Sequence, residues 1–223
     1  PVLFGSFMMM LQAFIDMWFI GRLGDRELAA LSFAFPVIMV VTSVAIGLGA
    51  GTSSVVARAI GAHNHRRARR LATDSLILSF GITMAMSVVG YLTIAPLFRL
   101  LGAPEDMILL IAGYMNILYT GVPFVVVGMV GMSSMRATGD TKLPRMLMVL
   151  ASVINILLDP ILIFGVGPIP AMGLNGAAMA ALLSRFGIFI GTVYYMKHRS
   201  DLLTFNKPDR VELSRSWADI LHV

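Results

Sequence analysis

The stretch SFAFPVIMVVTSVAIGLGAGTSSVVA occupies residues 32–57 and contains no charged side chain. A helix needs about 20 residues to cross the hydrocarbon core of a membrane, so this stretch is long enough for one crossing. Transmembrane strands are instead short segments of alternating polarity, which runs such as VVVGMVGM at residues 125–132 do not show. The pattern therefore predicts a membrane-spanning helix.

Five further stretches repeat this pattern with at most one charged side chain each: 1–20, 75–98, 107–135, 146–166 and 174–196. Residues of the AVILMFWYC class make up 57% of the 223 positions and charged residues only 13%, a balance that a water-exposed surface could hardly tolerate. We predict an all-α integral membrane protein, with a bundle of six transmembrane helices over residues 1–196. Residues 197–223 are predicted to be a polar connector within which the chain is truncated.

Basic residues sort to alternate sides of this predicted bundle. Thirteen of them follow the second, fourth or sixth stretch: Arg58, Arg66, Arg67, Arg69, Arg70, Arg136, Lys142, Arg145, Lys197, Arg199, Lys207, Arg210 and Arg215. The opposite side holds Arg22, Arg26 and Arg99. Because Lys and Arg accumulate in cytoplasmic loops, we predict a multi-pass plasma membrane protein with its N-terminus and connector in the cytoplasm. Within the connector, VELSRSWADILHV at 211–223 is expected to form a short amphipathic helix at the interface.

Several function classes are disfavoured by what the sequence lacks. It contains no Cys, which excludes disulfides, thiolate metal sites and a Cys nucleophile. We find no glycine-rich phosphate loop and no nucleophile paired with a base, so we expect no enzyme, no cofactor and no ATP-driven step. The HNHRRARR run at 63–70 is interpreted as a solvated loop that sets topology, not as a metal or nucleic-acid site.

Two acidic residues lie inside the apolar stretches, where an ionised carboxylate costs at least about 2.5–3.5 kcal/mol. Asp16 lies five residues before Gly21, and Asp159 lies six residues before Gly165, both on helices predicted to run outward. At a rise of about 1.5 Å per residue, each carboxylate is expected roughly 8–9 Å below the outer end of its helix. The two acids are therefore predicted to share a depth.

Each of these acids has an amide one helical turn earlier, Gln12 before Asp16 and Asn155 before Asp159. If the two faces meet, both carboxylates cannot ionise cheaply, and the pair should hold a proton or capture a cation such as sodium. Pro160 lacks a backbone donor and is expected to bend the fifth helix and free a carbonyl nearby. The alternative is that each Asp only caps or crosslinks helices.

Other polar residues in the stretches carry weaker signals. Tyr114, Asn116, Tyr119 and Thr120 lie in the fourth stretch, where packing or interhelical hydrogen bonds are the favoured roles and Tyr114 is a candidate supporting residue. Arg185 lies about halfway along the sixth stretch. It can snorkel to the interface, line a water-filled cavity or pair with an acid, and the sequence leaves these three open.

Five motifs, taken in order, resemble the N-terminal lobe of the multidrug and toxic compound extrusion (MATE) family. They are FIDMWFIGRLGDRELAALS at 14–32, VVARAIGAHNHRRARR at 55–70, MRATGDTKLPRM at 135–146, NILLDPILIFG at 155–165 and GLNGAAMAALLSR at 173–185. The resemblance implies one of two pseudo-symmetric six-helix lobes around a central cavity. It implies a secondary active multidrug exporter that exchanges organic cations or other amphiphilic compounds for protons or sodium ions.

The resemblance also assigns residues and partners. Asp16, Asn155 and Asp159 match the ion site of the branch that binds its ion in the first lobe, and Pro1 matches a proline that bends the first helix. The implied partners are an amphiphilic substrate, membrane lipids and the missing C-terminal lobe of the same polypeptide. Many relatives have a threonine where this sequence has Ala181, so one possible ion ligand is absent and protons are slightly favoured over sodium.

Three other functions stay open on the sequence. The first is a lipid-linked precursor flippase of the related superfamily, for which Arg185 would be the basic residue available within a span. The second is a membrane scaffold that transports nothing. The third is a half-sized protein that works as a homodimer.

Overall fold

Six long helices account for nearly all of the chain in a computed structural model, which describes residues 2–198, 216–217 and 219–220. The helices are α1 (Val2–Gly21), α2 (Asp25–Gly61), α3 (His65–Leu100), α4 (Glu105–Ala137), α5 (Lys142–Phe164) and α6 (Leu174–His198). Helices α2 to α6 are each long and apolar enough to cross a membrane, and α1 contains 20 residues. The predicted all-α bundle of six helices is confirmed.

Helices α2 and α3 extend well beyond the uncharged stretches because their charged ends are also helical. Asp25 and Glu27 lie in the first turn of α2, where negative charge favours the helix dipole. Helix α3 begins at His65, and the side chain of Asn64 caps it by accepting a 2.9 Å hydrogen bond from the backbone N–H of Arg67. The prediction of a loop over residues 63–70 was therefore wrong, because residues from His65 onward form the first turns of α3.

Helix α4 occupies the middle of the bundle and packs against α2, α3 and α6. Helix α5 packs against α6, and α1 packs mainly against α5. One apolar cluster, which includes Val56, Leu71 and Met135, lies toward the end predicted to be cytoplasmic, and a second, which includes Phe98 and Ile111, lies toward the other end. The order α1, α5, α6 therefore forms one side of the bundle, beside the central helix.

Small residues allow α6 to approach α5 closely. Gly176 lies so near the backbone of Leu162 and Ile163 that a Cβ atom at position 176 would be 2.8 Å from the Ile163 nitrogen. Close approach of this kind is typical of membrane helices, which associate through tight packing and interhelical hydrogen bonds. It determines the distance between α5 and α6 at the end of α5 that follows Asp159.

The described residues near the C-terminus are helical and pack on the bundle. Ser216 and Ile220 are buried, the indole Nε1 of Trp217 donates to the backbone carbonyl of Asp74 at 3.3 Å, and Arg67 forms a 3.2 Å salt bridge with Asp219. These contacts are with α2 and α3, so this part of the predicted amphipathic helix lies against protein. Most of the predicted connector, at 199–215, 218 and 221–223, lies outside the described residues.

Candidate ion-binding site

The carboxyl groups of Asp16 and Asp159 meet where α1 packs against α5. The two side chains are in hydrogen-bonding contact; Asp159 is 1% exposed and Asp16 is half-buried. Carboxylates are both hydrogen-bond acceptors, so a bond between them requires one proton. The contact can therefore hold a proton or, if both groups are ionised, a small cation.

The common depth of the two acids follows from where their helices end. Helix α1 ends at Gly21 and helix α5 at Phe164, so Asp16 and Asp159 each lie five residues before a helix end. Gly165 follows α5 with a φ of 77°, a left-handed conformation that glycine adopts without the steric cost other residues pay. Because both helices run in the same direction, the two carboxyl groups lie side by side.

Asn155 joins three helices at this point and is fully buried. Its side-chain nitrogen is assigned toward Asp16, so that it donates to Oδ1 of Asp16 at 3.1 Å while its oxygen accepts from the backbone N–H of Ala181 at 3.1 Å. The side-chain amide of Gln12 lies 2.6 Å from that of Asn155. Helices α1, α5 and α6 therefore meet at one amide, which contacts Asp16 directly.

Two oxygen atoms near the end of α5 lack their usual hydrogen-bond donors. Within the described residues, Oδ2 of Asp159 is buried and no donor group is bonded to it. Pro160 lies inside α5 and has no N–H, so the Ile156 carbonyl loses its normal helical partner. A buried acceptor without a donor is costly, and a proton or cation at Asp159 would remove that cost.

Two cavities, of about 120 Å³ and 230 Å³, lie beside this cluster. The first is lined by α2, α4 and α6 and includes Tyr114, and the second is lined in part by Gln12. Thr42 and Arg185 line both cavities. The polar cluster between α1 and α5 thus borders a space in which a ligand can lie.

The remaining predicted residues divide into two groups. Tyr119 is buried against Gly90 of α3, and the hydroxyl of Thr120 donates to the backbone carbonyl of Asn116 at 2.8 Å, which fits packing within the bundle. Pro1, predicted to bend the first helix, lies outside the described residues.

Comparison with known families gives a match to the MatE family model over residues 1–161. The chain belongs to the MatE family. The resemblance that the sequence motifs indicated is thereby confirmed.

Named relatives of this MatE chain include a transporter and a probable multidrug resistance protein. It is 40% identical to the FAD transporter of Shewanella oneidensis, over all of this chain and 49% of that protein, and 32% identical to the probable multidrug resistance protein YoeA of Bacillus subtilis, over 94% and 46%. Among solved structures, the Vibrio cholerae MATE transporter VcmN in the bent form is 32% identical and superposes with a TM-score of 0.89, over 100% of this chain and 50% of that one.

The MatE chain spans about half the length of the relatives it matches. This agrees with the prediction that it is one lobe of a larger transporter. Its membrane-crossing helices and its relatives make it a multi-pass plasma membrane protein.

The sequence reasoning missed several parts of the MatE site. Thr42 of α2 lines both cavities, and Ser152 and Ser184 line the second, yet small hydroxyl residues are common in membrane helices and carry no distinctive signal. The hydrogen bond from the Ala181 backbone N–H to Asn155 was also missed, because it does not depend on the type of side chain at position 181.

Proposed function

We propose that this chain is the N-terminal lobe of a secondary active exporter, which moves organic cations or other amphiphilic compounds out of the cell in exchange for protons or sodium ions. Asp16, Asn155 and Asp159 form its coupling site. The transporter names of the relatives and the match to the MatE family support the export function. The second lobe of the same polypeptide completes the cavity.

The contact between Asp16 and Asp159 is the observation on which this proposal depends most. Two acids in one buried contact between helices are costly unless a positive species occupies the contact. Occupation by a proton or cation therefore favours the arrangement in which α1 lies against α5. Loss of the ion disfavours that arrangement, and this difference in affinity is what couples ion binding to a change between two conformations.

Protons are favoured over sodium as the coupling ion. Sodium prefers several oxygen ligands, and Ala181 presents no hydroxyl at the position where it contacts Asn155. A proton needs only the two carboxyl groups. The carboxyl oxygens of Asp16 and Asp159 would be the ligands of sodium if it binds here, and Asn155 would hold Asp16 in position by donating to it.

Ion-driven flux tests the proposal. The full-length polypeptide, reconstituted in liposomes, should accumulate or release a xanthene dye, either the cationic rhodamine 6G or the anionic fluorescein, in response to an imposed proton or sodium gradient. Asp16→Asn and Asp159→Asn should each abolish the gradient-driven component while the protein still inserts and elutes as a single species. Asp106→Asn is the matched control, because Asp106 is an exposed carboxylate that forms a salt bridge with Arg26. Full gradient-driven flux in both site variants would mean that the acids only join helices.

FAD is a second candidate for the exported compound. The Shewanella oneidensis relative, which is named a FAD transporter, shares more identity with this chain than the multidrug proteins do, at 40% against 32% for YoeA. Release of FAD from cells that express the full-length polypeptide, compared with the Asp159→Asn variant, tests this cargo. Equal FAD in the two media would exclude it.

A further inference from the structure

We propose that Arg185 is an anion-binding group of the cavity, so that the compounds this protein selects carry a phosphate, carboxylate or similar group beside an apolar body. This inference rests on the proposed export function and names a substrate class for the same cavity. Arg185 is not one of the residues assigned to the coupling site.

Arg185 lies one helical turn after Ala181, whose backbone N–H contacts Asn155. At about 1.5 Å per residue, its Cα is about 6 Å from that contact, in the direction of the C-terminal end of α6. Its side chain lines both cavities. Arg185 is exposed and lies midway along α6, so its guanidinium is accessible to a ligand from these cavities without reaching the end of the helix, which makes snorkelling the less suitable alternative.

The charge of Arg185 is not neutralised by a close partner. Within the described residues, its guanidinium forms no salt bridge within 4.0 Å and no hydrogen bond. It interacts electrostatically with Asp16 and Tyr114 at longer range. Asp16 already contacts Asp159 and Asn155. A cation at mid-membrane depth is costly and is usually found where it meets a partner or a water-filled path.

Three of the other polar groups that line the cavities, those of Ser184, Thr42 and Gln12, already have partners. The hydroxyl of Ser184 donates to the Ala181 carbonyl at 3.0 Å, and that of Thr42 donates to the Ile38 carbonyl at 2.7 Å. The amide of Gln12 is engaged with Asn155. Arg185 is thus the strong donor that remains for a ligand among these residues.

The rest of the lining defines the body of the ligand. Most of the lining is apolar, and it includes Val41, Leu118, Val122, Leu182 and the flexible Met129. A planar guanidinium pairs with carboxylate or phosphate through two parallel hydrogen bonds, which a single ammonium group cannot do. The same guanidinium repels a ligand whose only charge is positive. The surface therefore fits an apolar or aromatic compound with one anionic group.

A pair of dyes with one ring system and opposite charges tests this selection. Fluorescein is an anionic xanthene and rhodamine 6G a cationic one, and the binding of each to the purified full-length polypeptide is measured by fluorescence anisotropy. Arg185→Gln should weaken fluorescein binding at least about tenfold, the loss expected for a charge-assisted bidentate contact. It should leave rhodamine 6G binding equal or stronger. Arg99→Gln is the matched control, because Arg99 is exposed and pairs with Glu105.

Three results would overturn the inference. They are fluorescein binding within twofold of the parent in Arg185→Gln, an equal loss for both dyes, and a parent protein that binds rhodamine 6G but not fluorescein. If Arg185→Gln does not fold, Arg185→Lys decides: it should keep the charge and lose part of the fluorescein affinity, and unchanged affinity counts against a bidentate contact. These binding measurements are made at equilibrium and need no ion gradient. They can therefore be interpreted whether or not Asp16→Asn abolishes ion-driven flux.

Discussion

Replacement of Gly176 by alanine should push α6 away from α5. A Cβ at position 176 would lie 2.8 Å from the Ile163 nitrogen and nearer still to the Leu162 carbonyl group, whereas ordinary contacts are 3.4–4 Å. These atoms belong to a helix backbone and cannot rotate aside as a side chain can. The two helices must therefore separate by at least about 0.6 Å, which forfeits about a quarter of the dispersion energy of the contacts involved.

The cost follows from two opposing terms. Overpacking of a close contact costs about 1–3 kcal/mol, while alanine in place of glycine within a helix returns about 0.5–1 kcal/mol. The net destabilisation is therefore about 1 kcal/mol, and at most about 2.5 kcal/mol. Because Leu162 and Ile163 follow Asp159 by about one turn, the same shift moves Asp159 relative to α6, and ion-driven flux should fall as well.

Thermal unfolding of the full-length polypeptide in detergent, followed by tryptophan fluorescence, measures this effect. Gly176→Ala should lower the midpoint by about 1–2 °C. Gly187→Ala is the control on the same helix, because its added Cβ meets nothing within 4 Å, and it should leave the midpoint equal or slightly higher. A Gly176→Ala midpoint equal to that of Gly187→Ala would refute the packing argument.

Two further predictions concern the α4–α5 turn and the ion site. The Tyr195 hydroxyl donates to Asp140 at 2.7 Å and holds the pKa of Asp140 below its usual value, so this stabilisation is present at neutral pH and is lost as pH falls through that lowered pKa. Tyr195→Phe should therefore destabilise the protein by about 0.5–1 kcal/mol at pH 7, and by progressively less as the pH falls through the lowered pKa of Asp140. Ala181→Thr adds a hydroxyl beside Asn155, and it should raise the apparent sodium affinity of gradient-driven flux about tenfold.

Each of these variants has a close control. Tyr194→Phe removes a hydroxyl from the adjacent position. It should cause no loss of stability that is present at pH 7 and absent in acid, since Asp140 is bonded to Tyr195. If Tyr195→Phe loses the same stability at pH 3 and pH 7, the hydrogen bond to a carboxylate is not the cause. Ala181→Val has the shape of threonine without its hydroxyl, and the same sodium response in both variants would exclude the hydroxyl as a ligand.

The fold was predictable from the sequence because membrane depth constrains composition strongly. A helix satisfies its own backbone hydrogen bonds in lipid, so an uncharged run such as residues 32–57 could form little else. The ends of the helices were less predictable. At residues 63–70, the density of charge indicated a loop. Asn64 instead caps a helix whose first turns carry these charges.

The two acidic residues of the candidate site were predictable from the sequence, whereas the contacts around them were not. Asp16 and Asp159 stood out because a carboxylate in lipid is costly, and helical rise predicted their common depth. The contact of Asn155 with the Ala181 backbone gave no signal, because every residue has an N–H and only packing decides which one faces a side chain.

The sequence by itself determined that this chain crosses the membrane, how often it does so, and which two side chains would be too polar for lipid without a function. Those properties follow from transfer energies and helical rise, which act residue by residue. Only the tertiary structure decided that α1 lies on α5, that Gln12 reaches Asn155 across 143 residues of sequence, and that Arg185 lines two cavities. Those contacts depend on how all six helices pack together, because the rotation of each helix is determined by its neighbours and not by its own sequence.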